Sequence, residues 1–328
     1  MDYLFFYKFF ISLIILIDII GAWLAFLVYR SNPKGKINRL FVLMIIFMFF
    51  WVTFAASARV IAAYGFSLKY SLFVLKIAWF VTPLLFLALY RFSILVIKEE
   101  KKYVLLTGIA FLLGTLSAFA VFTNLILADI KFSGDVLSFI YGKGIIPFLV
   151  AIFFMVCATL YPLFKKYAKL AGEEKKRMQF FLIGVFIFYL SNIIFNIFLP
   201  MVLDISRYYY IGDYSSIFLL GFLAYSIGKY EFLGVKVILT ELLVTVITVM
   251  GIILILKPFF VDPLWLKILL GFVFLLFCVF GYLLIQGVLR EVKQKKYWKT
   301  KLKKEQKNSR GLTKTSKKEK KSWRSFTN

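Results

Sequence analysis

Nine long apolar runs, separated by short polar gaps, constrain the fold of this chain more than any other feature of its sequence. A helix needs about 20 apolar residues to cross the hydrocarbon core of a bilayer, and most of the runs reach that length. With 62% hydrophobic and only 17% charged residues, the chain lacks the polar surface of a water-soluble fold. We therefore predict an all-α integral membrane protein, a polytopic bundle of about nine transmembrane helices. The predicted spans are Leu4–Val28, Asn38–Ala63, Leu68–Ile97, Tyr103–Leu127, Ile145–Phe164, Gln179–Val202, Ser215–Ile227, Val237–Ile255 and Leu264–Val288.

Lysine and arginine fall mainly into every second gap between these runs. Because cytoplasmic loops collect Lys and Arg, the pattern predicts a multi-pass protein of the cell membrane with an external N-terminus and a cytoplasmic C-terminus. This orientation requires an odd number of helices. The longest external gap, residues 128–144, is too short to fold alone, and we predict a loop there. The basic residues of the odd gaps are Arg30, Lys34, Lys36, Arg39, Lys98, Lys101, Lys102, Lys165, Lys166, Lys169, Lys175, Lys176, Arg177, Lys229 and Lys236.

Three regions follow one another along the chain. Residues 1–230 hold seven predicted helices, and residues 231–289 hold two further helices that end in a linker helix. Residues 290–328 form a basic tail with 16 of the 41 Lys and Arg residues, and its Lys/Ser/Thr-rich end predicts disorder. The first interpretation of a basic segment beside the last span is that this end of the chain lies in the cytoplasm. Anionic lipid is the second partner that the tail could bind, and nucleic acid is the least favoured.

The residues needed for common catalytic sites are missing. The sequence has no histidine, which removes the commonest metal ligand and general base. It also has no phosphate-binding glycine loop and no HExxH motif. Cys157 and Cys278 lie inside apolar runs, where we interpret them as small buried apolar residues. We predict that the protein is not an enzyme and carries no cofactor and no metal.

An aspartate lies near the middle of the first span, where ionisable residues are costly and mark functional sites by default. Asp18 has apolar neighbours on both sides, and Lys76 and Arg91 of the third span, at comparable predicted depths, are its possible ion-pair partners. Two interpretations remain open. Asp18 is either a proton-sensing or ligand-anchoring carboxylate, or a structural one that is ion-paired or held neutral by desolvation.

Two asparagines of the sixth span lie one helical turn apart and share a face with a proline. Asn192 and Asn196 can bond to a neighbouring helix or to carbonyls freed by Pro200. Both structural bonding and ligand contact are open interpretations. A run of small residues from Ala55 to Ala63 predicts that another helix approaches the second span closely.

Two stretches lie at the start and in the middle of the sixth predicted span: Arg177–Gly184, which contains Gln179, and Ser191–Pro200. They resemble the sixth helix in the N-terminal seven-transmembrane sensor region of bacterial histidine kinases. The resemblance covers roughly residues 1–235 and implies a sensor bundle that detects a small or lipophilic stimulus and forms a dimer. The further matching stretches are Asn38–Phe41 with Trp51, Pro83–Phe86, Ala224–Gly234 and, for the linker helix, Leu283–Lys293.

The chain departs from that family after its last span. No phospho-accepting histidine and no ATP-binding boxes follow, so the resemblance does not extend to kinase activity. We predict a signal-input module without its own catalytic domain, either free-standing or a truncated kinase. Two alternatives are a small-molecule transporter, which needs a polar path through the bundle, and a membrane tether that acts through the basic tail.

Overall fold

The computed structural model of the protein describes residues 3–133 and 136–230, which belong to one compact unit. The predicted eighth and ninth spans, the linker helix and the basic tail lie outside the described residues. The helices are α1 (Tyr3–Ser31), α2 (Lys36–Ala63), α3 (Leu68–Ile97), α4 (Val104–Ala120), α5 (Ile145–Tyr167), α6 (Gly172–Asn192), α7 (Leu199–Val202), α8 (Tyr209–Tyr214) and α9 (Ser216–Tyr230).

The described part is mostly helical, and five of its helical stretches are long and apolar enough to cross a membrane. This confirms the predicted helical fold and is compatible with a membrane protein, since a helix satisfies all its backbone groups internally, as a bilayer requires. α3 begins and ends where the sequence predicts, whereas α4 ends at Ala120 rather than at Leu127. The five stretches are Lys36–Ala63, Leu68–Ile97, Glu100–Ala120, Ile145–Tyr167 and Gly172–Val202.

A β-hairpin replaces the loop predicted between the fourth and fifth spans, so the prediction of an all-α fold is wrong at this point. Strands β1 (Leu127–Ser133) and β2 (Val136–Tyr141) pair antiparallel, with an irregularity between Leu127 and Asp129. Three hairpin side chains face inward and are buried against α2, α3 and Tyr209. The buried cluster that they form contains Leu127, Ile130, Leu137, Ala58, Ala62, Val74, Leu75 and Tyr209.

The small residues of α2 admit α3 closely, as predicted. Ser71 at the start of α3 donates a hydrogen bond to the Ala58 carbonyl, with 2.6 Å between the two oxygens. Ala55, Ala58 and Ala62 are all buried. The prediction that Cys157 is buried is wrong, since its side chain is exposed on α5 among other apolar surface residues.

A π-helical segment, Ile193–Phe198, interrupts the sixth span between α6 and α7. Pro200 follows in α7 and cannot donate a hydrogen bond to the carbonyl one turn back, at Asn196. Single turns of π-helix inside longer helices occur frequently at functional sites. The widened turn contains Asn196, one of the two asparagines singled out by the sequence.

The two ends of the bundle differ in structure and charge. One end, here called the hairpin end, holds the hairpin and the segment 203–215. The other, here called the basic end, holds the connections α1–α2, α3–α4 and α5–α6, and Lys166 bonds to Glu99 across two of them (3.4 Å). The Lys and Arg residues at the basic end are Arg30, Lys34, Lys36, Arg39, Lys98, Lys101, Lys102, Lys165, Lys166, Lys169, Lys175, Lys176 and Arg177.

A candidate ligand pocket at the hairpin end

A partly open cavity of about 80 Å³ lies within the bundle close to the hairpin end. It is enclosed by side chains from α2, α3, β2, α5, α6, the π segment, α7 and α8, and most of its surface is apolar. Its lining residues are Trp51, Ala55, Leu75, Ala78, Trp79, Thr82, Phe86, Phe139, Phe148, Leu149, Ile152, Asn192, Asn196, Ile197, Met201, Tyr209 and Asp213.

Aromatic rings from four elements form the apolar wall of this pocket. Trp79 of α3 stacks on Phe148 of α5 with 5.7 Å between ring centroids. The Trp79 ring also contacts Phe139 of β2, with 6.1 Å between centroids. Phe139 in turn contacts the Tyr209 ring edge-on at 5.1 Å. Such pairs add stabilisation beyond the area they bury. The hairpin therefore contributes a wall of the pocket as well as covering the ends of α2 and α3.

Polar side chains joined by hydrogen bonds line another part of the pocket. The Asn196 amide donates to the Asn192 oxygen (2.9 Å) and to Asp213 Oδ1 (3.3 Å). The Asn192 amide donates to Ser215 Oγ (3.0 Å) and to the Phe188 carbonyl (2.8 Å). Ser215 directly precedes α9, so these bonds connect the pocket wall to the beginning of that helix.

A buried ion pair extends this polar chain to α2. Arg59 Nη2 lies 3.8 Å from Asp213 Oδ2, and the two residues are only 8% and 4% exposed. Arg59 Nε also donates to the Tyr209 hydroxyl at 3.0 Å. The guanidinium carbon lies 4.4 Å from the ring centroid of Tyr209 and 5.0 Å from that of Tyr210. A buried charge needs such partners, because desolvation alone is prohibitive.

Gly212 allows the π segment and α8 to approach each other at this point. A Cβ built on Gly212 would overlap the Asn196 amide, so a side chain at position 212 would displace it. The Asn196 oxygen is buried and accepts no hydrogen bond within the described residues. Leaving a buried acceptor unpaired costs about 1–3 kcal/mol, a cost that the two bonds donated by the same amide offset.

The residues predicted from the sequence divide into two groups. Asn192, Asn196 and Trp51 all line the pocket. Asp18, by contrast, accepts a hydrogen bond from Thr53 Oγ1 at 3.0 Å, so the proposed pairing with Lys76 or Arg91 is wrong. Lys76 donates to Asn124 Oδ1 at 2.9 Å, and Arg91 lies 3.6 Å from Glu100, nearer the basic end.

Four residues of the family resemblance lie away from the pocket. Pro83 is buried inside α3, and Pro200 is buried in α7. The Arg177 carbonyl accepts a hydrogen bond from Ser226 Oγ at 3.4 Å, which joins α6 to α9. Gln179 is exposed.

Sequence reasoning missed the ion pair. Arg59 is a lone charge inside an apolar run, which is a signal for a functional or paired residue. Asp213 lies in the short gap after the sixth span and Tyr209 in a run of three tyrosines, so neither position in the sequence indicates a partner for Arg59. Only the fold reveals that these three residues meet.

Comparison with protein-family models, curated proteins and solved structures gave no match to this chain. Within residues 3–133 and 136–230, no three His, Cys, Asp or Glu side chains converge as metal ligands would. The pocket offers an aromatic wall for an apolar body, and amide and carboxylate groups for one polar group.

Proposed function

We propose that the chain is a membrane-embedded signal-input module whose stimulus is a small apolar molecule with one polar group. One observation carries the proposal. Asn192, Asn196 and Asp213 line the pocket and also hold α8 and the start of α9. A molecule that bonds to these side chains competes with the bonds that position α9, so binding and helix position are linked. The resemblance to sensor regions supports the same function.

The dimensions of the pocket limit the part of the ligand that it encloses. A cavity of about 150 Å³ lined by apolar side chains holds benzene, and this one has about 80 Å³. The enclosed part therefore suits the head of a longer molecule, such as a primary alcohol, whose chain leaves through the open side. The hydroxyl would bond to the asparagines, and the adjoining carbons would contact Trp79 and Phe148.

In this proposal the hairpin end faces outward and the basic end faces the cytoplasm of the cell, following the excess of Lys and Arg in cytoplasmic loops. The stimulus would reach the pocket from outside or from the outer half of the bilayer. The shift of α9 would then pass to the chain that follows it. No catalytic step is assigned.

A brominated alcohol tests the binding step. Trp51 and Trp79 line the pocket, so 6-bromohexanol bound there should quench part of the tryptophan fluorescence in a saturable manner. Ala78 is 1% exposed and lines the same pocket, so Ala78→Leu should fill the space and weaken the saturable quenching at least tenfold. Ala171→Leu, at an exposed position, is the matched control and should behave as wild type. Equal saturable quenching in all three proteins would contradict the pocket as the binding site.

The same probe separates a sensor from a transporter. One spin label would be placed at position 101, at the basic end, and a second at position 230, the end of α9. Binding of 6-bromohexanol should change the distance between the two labels. A cysteine at the pocket position Ile197 should react with water-soluble thiol reagents from the hairpin end only. Reaction from both ends would indicate alternating access and would overturn the signal-input proposal in favour of transport.

A further inference from the structure

The basic end contains a second concave feature, a groove of about 660 Å³ between the α1–α2 and the α3–α4 connections. We propose that this groove binds the phosphate headgroup of an anionic lipid. The inference is independent of the hairpin-end pocket. The residues that line the groove are Asn32, Gly35, Lys36, Ile37, Asn38, Leu95, Lys98, Glu99, Glu100, Lys101 and Lys102.

The charges of the groove do not cancel. Glu99 is occupied by Lys102 (2.7 Å) and by Lys166 (3.4 Å), and hydrogen bonding from Lys102 holds the pKa of the Glu99 carboxyl below its usual range. Glu100 lies 3.6 Å from Arg91. Both carboxylates are thus compensated by cations other than Lys36, Lys98 and Lys101.

Those three lysines remain to bind an anion. Lys36, Lys98 and Lys101 are exposed, and within the described residues none of them has an ion pair with a carboxylate. They come from two separate connections and converge on one groove. A phosphate carries the charge and the several acceptor oxygens that such a set of ammonium groups can share.

The backbone contributes to the same site. α2 begins in the groove, and its N-cap, Gly35, offers no side chain to cap the first N–H groups. These groups have no partner within the helix and carry partial positive charge. The loop is held in place by Asn38, whose amide donates to the Val28 carbonyl (2.7 Å) and to Ser31 Oγ (3.0 Å). The donors are therefore fixed before the anion binds.

The position of the groove favours a lipid over a free phosphate. It adjoins the first turn of α2 and the connection that leads into α4, and both helices carry exposed apolar side chains further along, among them Leu43, Leu105 and Ile109. A phospholipid at that depth would place its headgroup at the lysines and its acyl chains along those side chains. A soluble phosphate would make only the first set of contacts.

Titration of the full chain in detergent with dioctanoyl phosphatidylglycerol, followed by native mass spectrometry, tests the site. The variant Lys36→Gln/Lys98→Gly/Lys101→Gln should bind this lipid about 100-fold more weakly, because each lysine adds to the affinity for an anionic headgroup. Glycine is chosen at position 98 because Lys98 has φ 57°, a left-handed conformation that glycine adopts without strain.

Three arms interpret the result. Lys69→Gln/Lys131→Gln/Lys143→Gln removes three exposed lysines at the hairpin end and should bind as wild type. Dioctanoyl phosphatidylcholine and glycerol phosphate should bind far more weakly than the anionic lipid. The single variant Lys98→Gly should lose less affinity than the triple variant, and it replaces the triple variant if that one does not fold.

Equal affinity in wild type and in the two groove variants would assign lipid binding elsewhere, for example to the basic tail, and would overturn the proposal. Tight binding of glycerol phosphate would make the ligand a soluble anion.

Discussion

Arg59→Met is expected to lower the free energy of unfolding by about 3–5 kcal/mol, the usual cost of removing one partner of a buried ion pair. The substitution leaves the Asp213 carboxylate buried without its cationic partner, while the Asn196 amide still donates a hydrogen bond to it. It also removes the hydrogen bond to the Tyr209 hydroxyl and the contacts of the guanidinium with two tyrosine rings. SDS-induced unfolding of the purified protein, followed by circular dichroism, measures the loss.

The double variant Arg59→Met/Asp213→Leu separates the unpaired charge from the loss of packing. Replacing both partners of a buried pair with apolar residues is often neutral, so the double variant should recover most of the lost stability. Lys131→Met, at an exposed position on the hairpin, is the control and should unfold as wild type. A single variant as stable as wild type would show that Arg59 and Asp213 do not form a buried pair.

Gly184→Val should destabilise the packing of α6 against α9 by about 1–3 kcal/mol, the usual cost of overpacking a core. A Cβ at Gly184 would lie 2.6 Å from the Phe222 Cβ, which is closer than real Cβ atoms approach. Because the obstructing atom is next to the backbone, it cannot swing away, and α9 itself must move. The same unfolding assay measures the effect.

Gly108→Val in α4 is the matched control for that substitution. A Cβ at Gly108 meets no atom within 4 Å, so the change in stability should stay within about 0.5 kcal/mol. If both variants lost the same stability, the loss could not be assigned to the contact between α6 and α9, because the space at Gly108 is open.

The helices were predictable because a long apolar segment can satisfy its backbone hydrogen-bonding groups in few ways other than a helix. α3 matches its predicted bounds, and α2 begins two residues before the predicted Asn38. Apolar length decides these elements, since an apolar segment in a bilayer must satisfy its backbone groups internally. The end of α4 was misjudged because the apolar sequence continues to Leu127 after the helix has ended at Ala120.

The hairpin was missed although its sequence contains the signal. In β1 the polar residues Asp129 and Lys131 alternate with the apolar Ile130 and Phe132, and the sequence that follows, Ser133-Gly-Asp, is typical of turns. Alternation with period two and a glycine turn predict a hairpin. The signal is weak because the gap is short and lies between two long apolar runs, which predict helices joined by a loop.

The site was predictable only where its residues are close in sequence. Asn192 and Asn196 are four residues apart and therefore share a helix face wherever the helix lies in the fold. Both line the pocket. Arg59 and Asp213 are brought together by packing of α8 beside α2, which hydropathy does not encode. The partner of Asp18 was misassigned because depth was matched without helix adjacency: α1 packs against α2, which supplies Thr53.

Thiol labelling in intact cells tests most directly the central claim, that these helices cross the membrane with the hairpin end outside and the basic end inside. Lys131→Cys on the hairpin and Lys101→Cys at the basic end would be compared in a chain whose Cys157 and Cys278 are replaced by alanine. A membrane-impermeant maleimide should label position 131 in intact cells and position 101 only after the membrane is broken. Labelling of position 101 in intact cells, or of both positions equally, would contradict it.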